Sequence, residues 1–112
     1  MAERADDVPG LLQIRVTEDG SDCVAHLRGE LDASTSPHLR AEMLSLIEGG
    51  CRTLVIDMSD LALIDSTGLG VLVGVMKRVL QHGGEMRLRS PRPIARKVFD
   101  ITGLDRVFAI ID

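Results

Sequence analysis

Over residues 12–17 apolar and polar positions alternate, Leu12-Gln13-Ile14-Arg15-Val16-Thr17, the period of two that half-buries a strand. Glu18-Asp19-Gly20-Ser21 breaks the alternation as a turn, and a second strand over 23–28 is expected to close a hairpin with the first. Gly29-Glu30-Leu31-Asp32 ends that strand. Ser36-Pro37 then reads as N-cap and first position of a helix with an apolar face of Leu39, Met43, Leu44, Leu46 and Ile47, which Gly49-Gly50 terminates. Residues 53–58, Thr-Leu-Val-Ile-Asp-Met, are nearly all apolar and suit a central strand covered on both faces. A second helix is predicted over 66–81, with a core stripe of Leu69, Leu72, Val73, Met76 and Leu80 and an end at His82-Gly83-Gly84. A short strand over 86–89, a helix over 93–102 capped by Gly103 and a last strand over 107–111 complete the chain.

Strands separated by helices of this length require parallel crossovers. The expected fold is therefore α/β: one domain over 11–112, a mixed sheet of four to five strands, mainly parallel after the hairpin, with helices packed against it. Residues 1–10 alternate charge with small side chains and are expected to form a flexible N-terminal segment. At 112 residues such a domain buries enough surface to fold without a metal or a disulfide.

Charge and composition narrow the function. Thirteen basic against seventeen acidic residues leave a net charge of -4, and with no Trp, no Tyr and two Phe the chain lacks both the field and the rings for general nucleic-acid binding. The N-terminus has no apolar core of a signal peptide and nowhere do about 18 apolar residues run together, so a cytoplasmic protein with no membrane span is expected. Cys23 and Cys51 fit neither a redox nor a zinc spacing and read as buried reduced thiols in strands. His26, His38 and His82 are scattered, so no metal and no cofactor are expected.

The densest signal is Leu63-Ile64-Asp65-Ser66-Thr67-Gly68-Leu69-Gly70-Val71-Leu72, hydroxyls and a carboxylate at the start of an apolar helix. A dinucleotide site would need an acid about 20 residues on, where Leu88 and Arg89 stand, and no P-loop motif occurs. An aspartic-protease reading of Asp65-Ser66-Thr67-Gly68 fails because the motif runs into a helix, and no elbow or placed histidine supports a serine hydrolase. No enzyme activity is expected. Two compatible readings remain: Asp65 or Ser66 caps the helix, or the helix N-terminus, with open N–H groups and a positive dipole end, accommodates a phosphoryl group.

Four segments carry a resemblance: Gly29-Glu30-Leu31-Asp32, Val55-Ile56-Asp57-Met58-Ser59, Ile64-Asp65-Ser66-Thr67-Gly68-Leu69-Gly70 and Thr102-Gly103-Leu104-Asp105-Arg106-Val107-Phe108. In order and spacing they are similar to the signatures of the STAS domain family, and more narrowly of its bacterial anti-sigma factor antagonists. The resemblance implies a partner switch. The unphosphorylated form would bind an anti-sigma factor that is also a serine kinase and so free the sigma factor; phosphorylation would end that binding, and a metal-dependent serine phosphatase would restore it. It implies Ser66 as the modified residue, with Thr67 the lesser candidate, and Asp32 as a nearby acidic group that helps the kinase complex. Asp57 matches an acidic position at the end of the central strand, where a carboxylate bonded to loop N–H groups is the other reading. The expected partner-binding set is Asp32, Asp65, Ser66, Thr67, Gly68, Leu69, Val71 and Val75. The two valines enter because, four residues apart, they read as an outward apolar patch beside Ser66. The basic residues Arg87, Arg89, Arg92, Arg96 and Lys97 read as a solvated face, with an acidic partner surface second and anionic lipid third. Other functions compatible with the fold are an accessory subunit of a transporter complex and a small nucleotide-binding module.

Overall fold

The computed structural model describes the backbone of residues 2–8 and 11–112, with side chains from Leu11 onward. Strands β1 (Ala2–Val8), β2 (Leu12–Asp19) and β3 (Asp22–Leu31) are followed by α1 (Ser36–Glu48), β4 (Thr53–Ile64), α2 (Ser66–Gln81), β5 (Glu85–Arg89), α3 (Pro93–Thr102) and β6 (Ala109–Ile111). They build one sheet in chain order, β1-β2-β3-β4-β5-β6. The first two pairings are antiparallel and the remaining three parallel, each parallel step crossing by a helix. This is the mixed α/β sheet expected from the pattern, with one strand more.

That strand is β1. Where a flexible segment was expected over 1–10, the backbone of Ala2–Val8 pairs with β2 along its length, from Ala2 opposite Glu18 to Val8 opposite Leu12. Without it β2 would present an edge of unpaired N–H and C=O groups. Met1, Pro9 and Gly10 lie outside the described residues.

Alternation works as expected in the hairpin: Leu12, Ile14 and Val16 of β2 and Cys23, Ala25 and Leu27 of β3 are buried, with Ile14 opposite Leu27 and Val16 opposite Ala25. β4 departs from expectation. Leu54, Ile56 and Met58 are buried, but Thr53, Val55 and Asp57 are only half-buried, so the strand is covered on one face. Its register against β3 also slips twice, between His26 and Arg28 and between Gly29 and Glu30, each slip placing one extra residue in β4. The core phase therefore runs Met58, Leu61, Ile64 instead of every second residue, and Ala62 and Leu63 are pushed into solvent.

The helices deliver a second correction. α2 buries Gly68, Leu69, Leu72, Val75 and Val79, while Leu80 is 57% exposed. Val75, expected to face outward, is 1% exposed, and Val71 is half-buried against the core. Apolar residues occur nearly all round this helix, so periodicity alone leaves its rotation open; packing against α1 as well as the sheet settles it. The last strand, expected over 107–111, is only three residues long because a 3-10 turn at Leu104–Arg106 precedes it. Phe108 packs edge-on against Phe99 of α3, ring centres 5.8 Å apart. Cys23 and Cys51 are both buried, Cys51 in the turn before β4 and not in a strand. Burial pushes the Cys51 thiol up, and the adjoining Cys23 thiol adds to the effect.

Candidate functional site

β3 and β4 end level, Leu31 opposite Ile64, and the turns that follow them stand side by side at the carboxyl edge, the position where parallel sheets hold their ligands. The turn after β4 carries Asp65 and Ser66. Asp65 leaves β4 in extended backbone and caps α2: its Oδ1 accepts from the Gly68 N–H at 2.9 Å, and its carbonyl from the Leu69 N–H at 3.0 Å. Of the two capping candidates, Asp65 is the cap and Ser66 the first helical residue. The capping carboxylate leaves the Ser66 and Thr67 N–H groups at the open, positive end of the helix. Both hydroxyls are exposed, and neither has a hydrogen-bond partner among the described residues. Among the described residues no basic side chain bonds to the Ser66 hydroxyl.

The first turn of α2 sits where it does because position 68 has no side chain. A Cβ there would stand 2.7 Å from Leu31 Cγ and 3.0 Å from the Leu31 carbonyl oxygen. That carbonyl also accepts from the Asp65 N–H at 3.1 Å. Leu69 is buried beneath the turn. Gly68 and Leu69 therefore support the turn from below, while Ser66 and Thr67 are exposed at its surface.

On the β3 side lies Asp32. Its Oδ1 accepts from the Ser34 N–H at 2.9 Å, the Ser34 hydroxyl at 2.7 Å and the Thr35 N–H at 3.2 Å. The Ser34 hydroxyl first, and the other loop donors with it, outweigh desolvation and hold the Asp32 carboxyl below the usual carboxylate range. Asp32 thus shapes the β3–α1 turn. Its partner in that work is a residue sequence reasoning passed over: Thr35 is buried, its hydroxyl donates to the Glu30 carbonyl at 2.9 Å and accepts from the Asp32 N–H at 3.0 Å. Thr35, and not Ser36, stands at the N-cap of α1; Ser36 is inside the helix and its hydroxyl donates to the Asp32 carbonyl at 2.5 Å. The Asp-x-Ser-Thr spacing, which favours side chains bonding back to loop amides, is the signal that would have found it.

Asp57 sits one strand pairing away from Arg89, whose guanidinium meets its Oδ2 at 2.9 Å, while Oδ1 accepts from the Ser59 N–H at 2.9 Å. Burial pushes this carboxyl up, but the Ser59 N–H and Arg89 together more than offset it and leave it below the usual range. The hydrogen bond to Ser59 lies at the first slip of β4, so Asp57 is held by one amide of its own strand and by Arg89 of β5. Among the described residues no three His, Cys, Asp or Glu side chains gather where they could hold a metal ion.

The STAS domain family matches residues 13–112. The chain is 35% identical over 99 residues to the anti-sigma-B factor antagonist of Bacillus subtilis (strain 168), covering 88% of this chain and 90% of that one. The solved structure of the anti-sigma factor antagonist SpoIIAA in its unphosphorylated form is similar at TM-score 0.76 and 28% identity, over 87% of this chain and 86% of that one. The Bacillus cell fate determinant SpoIIAA in the phosphorylated form is similar at TM-score 0.70 and 27% identity, over 87% and 89%. In sequence, sheet order and helix placement, this chain belongs to the STAS domain family.

Proposed function

We propose that this chain is an anti-sigma factor antagonist switched by phosphorylation of Ser66. The observation that carries the reading is an exposed, unbonded serine as the first residue of α2, beside the capping Asp65, in a chain whose relatives bear that name. Unphosphorylated, it binds an anti-sigma factor with serine kinase activity through the turn at Asp65-Ser66-Thr67 and the neighbouring Asp32 turn, and the sigma factor is released. The domain works as a regulatory surface and not as an enzyme, in the cytoplasm where sigma factors act. No helix among the described residues is long and apolar enough to cross a membrane.

A phosphoryl group on Ser66 brings a charge of about -1.5 to -2 into a contact formed around a neutral hydroxyl. The positive end of α2 tolerates it in the free protein, whereas a bound partner must strip its water. Binding is therefore lost without refolding, and a metal-dependent serine phosphatase resets the switch. Incubation with ATP and an anti-sigma kinase encoded in the same genome, read by mass spectrometry, is expected to place one phosphate on Ser66 and none on Ser66→Ala. A phosphate on another residue would contradict the assignment.

A further inference from the structure

β5 ends opposite Asp57, seven residues short of the end of β4. There the chain turns into α3, and between β4 and the start of α3 lies an apolar cavity of about 400 Å³ lined by Ala62, Arg92, Pro93 and Ile94. Ala62 precedes Ser66 by four residues and stands at the second slip of β4, which turns both Ala62 and Leu63 outward. Leu63 is 43% exposed and Ile94 64%, although α3 already buries Ala95 and Phe99 on its other side. These aliphatic groups serve no part of the core.

The charges beside them are unequal. Arg87 pairs with Glu85, Arg89 with Asp57 and Arg96 with Asp112, so three of the five basic residues of this segment are neutralised. Arg92 has no carboxylate partner among the described residues. It occupies the N-cap of α3, which no side chain caps, so the positive end of that helix adds to its charge. The result is an apolar hollow with a positive rim on a chain of net charge -4.

We propose that Ala62, Arg92, Pro93 and Ile94 form a second docking point for the partner that reads Ser66, receiving an apolar side chain flanked by a carboxylate. This rests on the functional reading above and adds to it where the partner's remaining contact falls. The apolar body fills the hollow and the carboxylate meets Arg92 and the open helix end. A second copy of this chain fits poorly, because a two-fold contact centred here would set Arg92 against its own mate.

The probe is the anti-sigma kinase shown to phosphorylate Ser66 of the parent chain; a kinase that fails that condition tests the functional reading and not this surface. Calorimetric titration is expected to show binding weakened about tenfold or more by Ile94→Asp, less by Ile94→Ala, and about three- to tenfold by Arg92→Glu, with the Arg92→Glu loss greatest at low salt. Ile101→Asp, at a site 75% exposed at the far end of α3, is expected to bind as the parent does. Circular dichroism identical to the parent's verifies the fold of each variant. Parent-like affinity in both Ile94→Ala and Arg92→Glu would overturn the proposal, as would an equal loss in Ile101→Asp. A chain that runs as a dimer alone and as a monomer after Ile94→Ala would give the surface to a second copy and overturn it too.

Discussion

Gly68 rests on Leu31 with no room for a methyl group: a Cβ on Gly68 would stand 2.7 Å from Leu31 Cγ, and the Leu31 carbonyl, which accepts from the Asp65 N–H, would lie 3.0 Å away. The end of β3 thereby fixes both the cap and the first turn of α2, and with them the height of Ser66. Gly68→Ala must push that turn off β3. It is expected to cost about 1–3 kcal/mol in urea unfolding, with amide shifts concentrated at residues 31 and 65–69 and slower phosphorylation of Ser66.

Gly70 and Gly74 are the opposite case. Both lie on the exposed side of α2, and a Cβ on either meets nothing within 4 Å. Glycine inside a helix gives up stability through the freedom of the unfolded chain. Gly70→Ala and Gly74→Ala are each expected to raise unfolding stability by about 0.5–1 kcal/mol, read as a shift of the urea midpoint without a change of slope.

Asp57 sets a pH dependence. Its folded carboxyl lies below the ordinary value of 3.8, so the folded chain gives up this proton more readily than the unfolded one. The stabilisation it contributes is fully present above the unfolded value and is lost as pH falls through the folded one. Arg89→Met is expected to destabilise by about 1–2 kcal/mol at pH 7, by leaving the half-buried Asp57 with a charge and one partner fewer. Parent and Asp57→Asn should converge in stability as the pH drops below the folded value. A gap that persists into strong acid would contradict the pairing.

Asp32 can be split into acceptor and charge. Asn keeps an oxygen for the Ser34 and Thr35 donors, whereas Ala removes it. If the Asp32 carboxylate also faces the kinase, Asp32→Asn weakens kinase binding while leaving the amide spectrum of residues 30–36 near that of the parent, and Asp32→Ala disturbs both. Equal kinase affinity for Asp32→Asn and the parent would confine Asp32 to the turn.

Element type was legible where one period dominates. The hairpin alternation of Leu12, Ile14 and Val16, the two helix-ending glycines Gly49 and Gly103 and the polar helix start at Asp65-Ser66 are legible in the sequence, while the choice of Asp65 over Ser66 as the cap comes from the structure. Legibility failed where a tertiary contact chooses between equal local options. The rotation of α2 could not be read from a helix apolar nearly all round, so Val75 was placed outside and Leu80 inside, the reverse of what packing against α1 selects. The slips in β4 depend on the partner strand, so Ala62 and Leu63 gave no warning of their exposure. The β1 strand, charged and without an apolar alternation, is specified by the edge of β2 and not by its own pattern.

The central claim is that Ser66 is a switch operating by charge at an otherwise unaltered surface. It is tested most directly by titrating the cognate anti-sigma kinase with the parent chain, the chain phosphorylated on Ser66, and Ser66→Ala, each checked by circular dichroism. Ser66→Ala is expected to bind as the parent does. The phosphorylated chain should bind about 100-fold more weakly or worse, a loss near 2.8 kcal/mol, with an unchanged spectrum. Equal affinity of the phosphorylated and unphosphorylated chains, or a loss of binding accompanied by loss of helix, would contradict it.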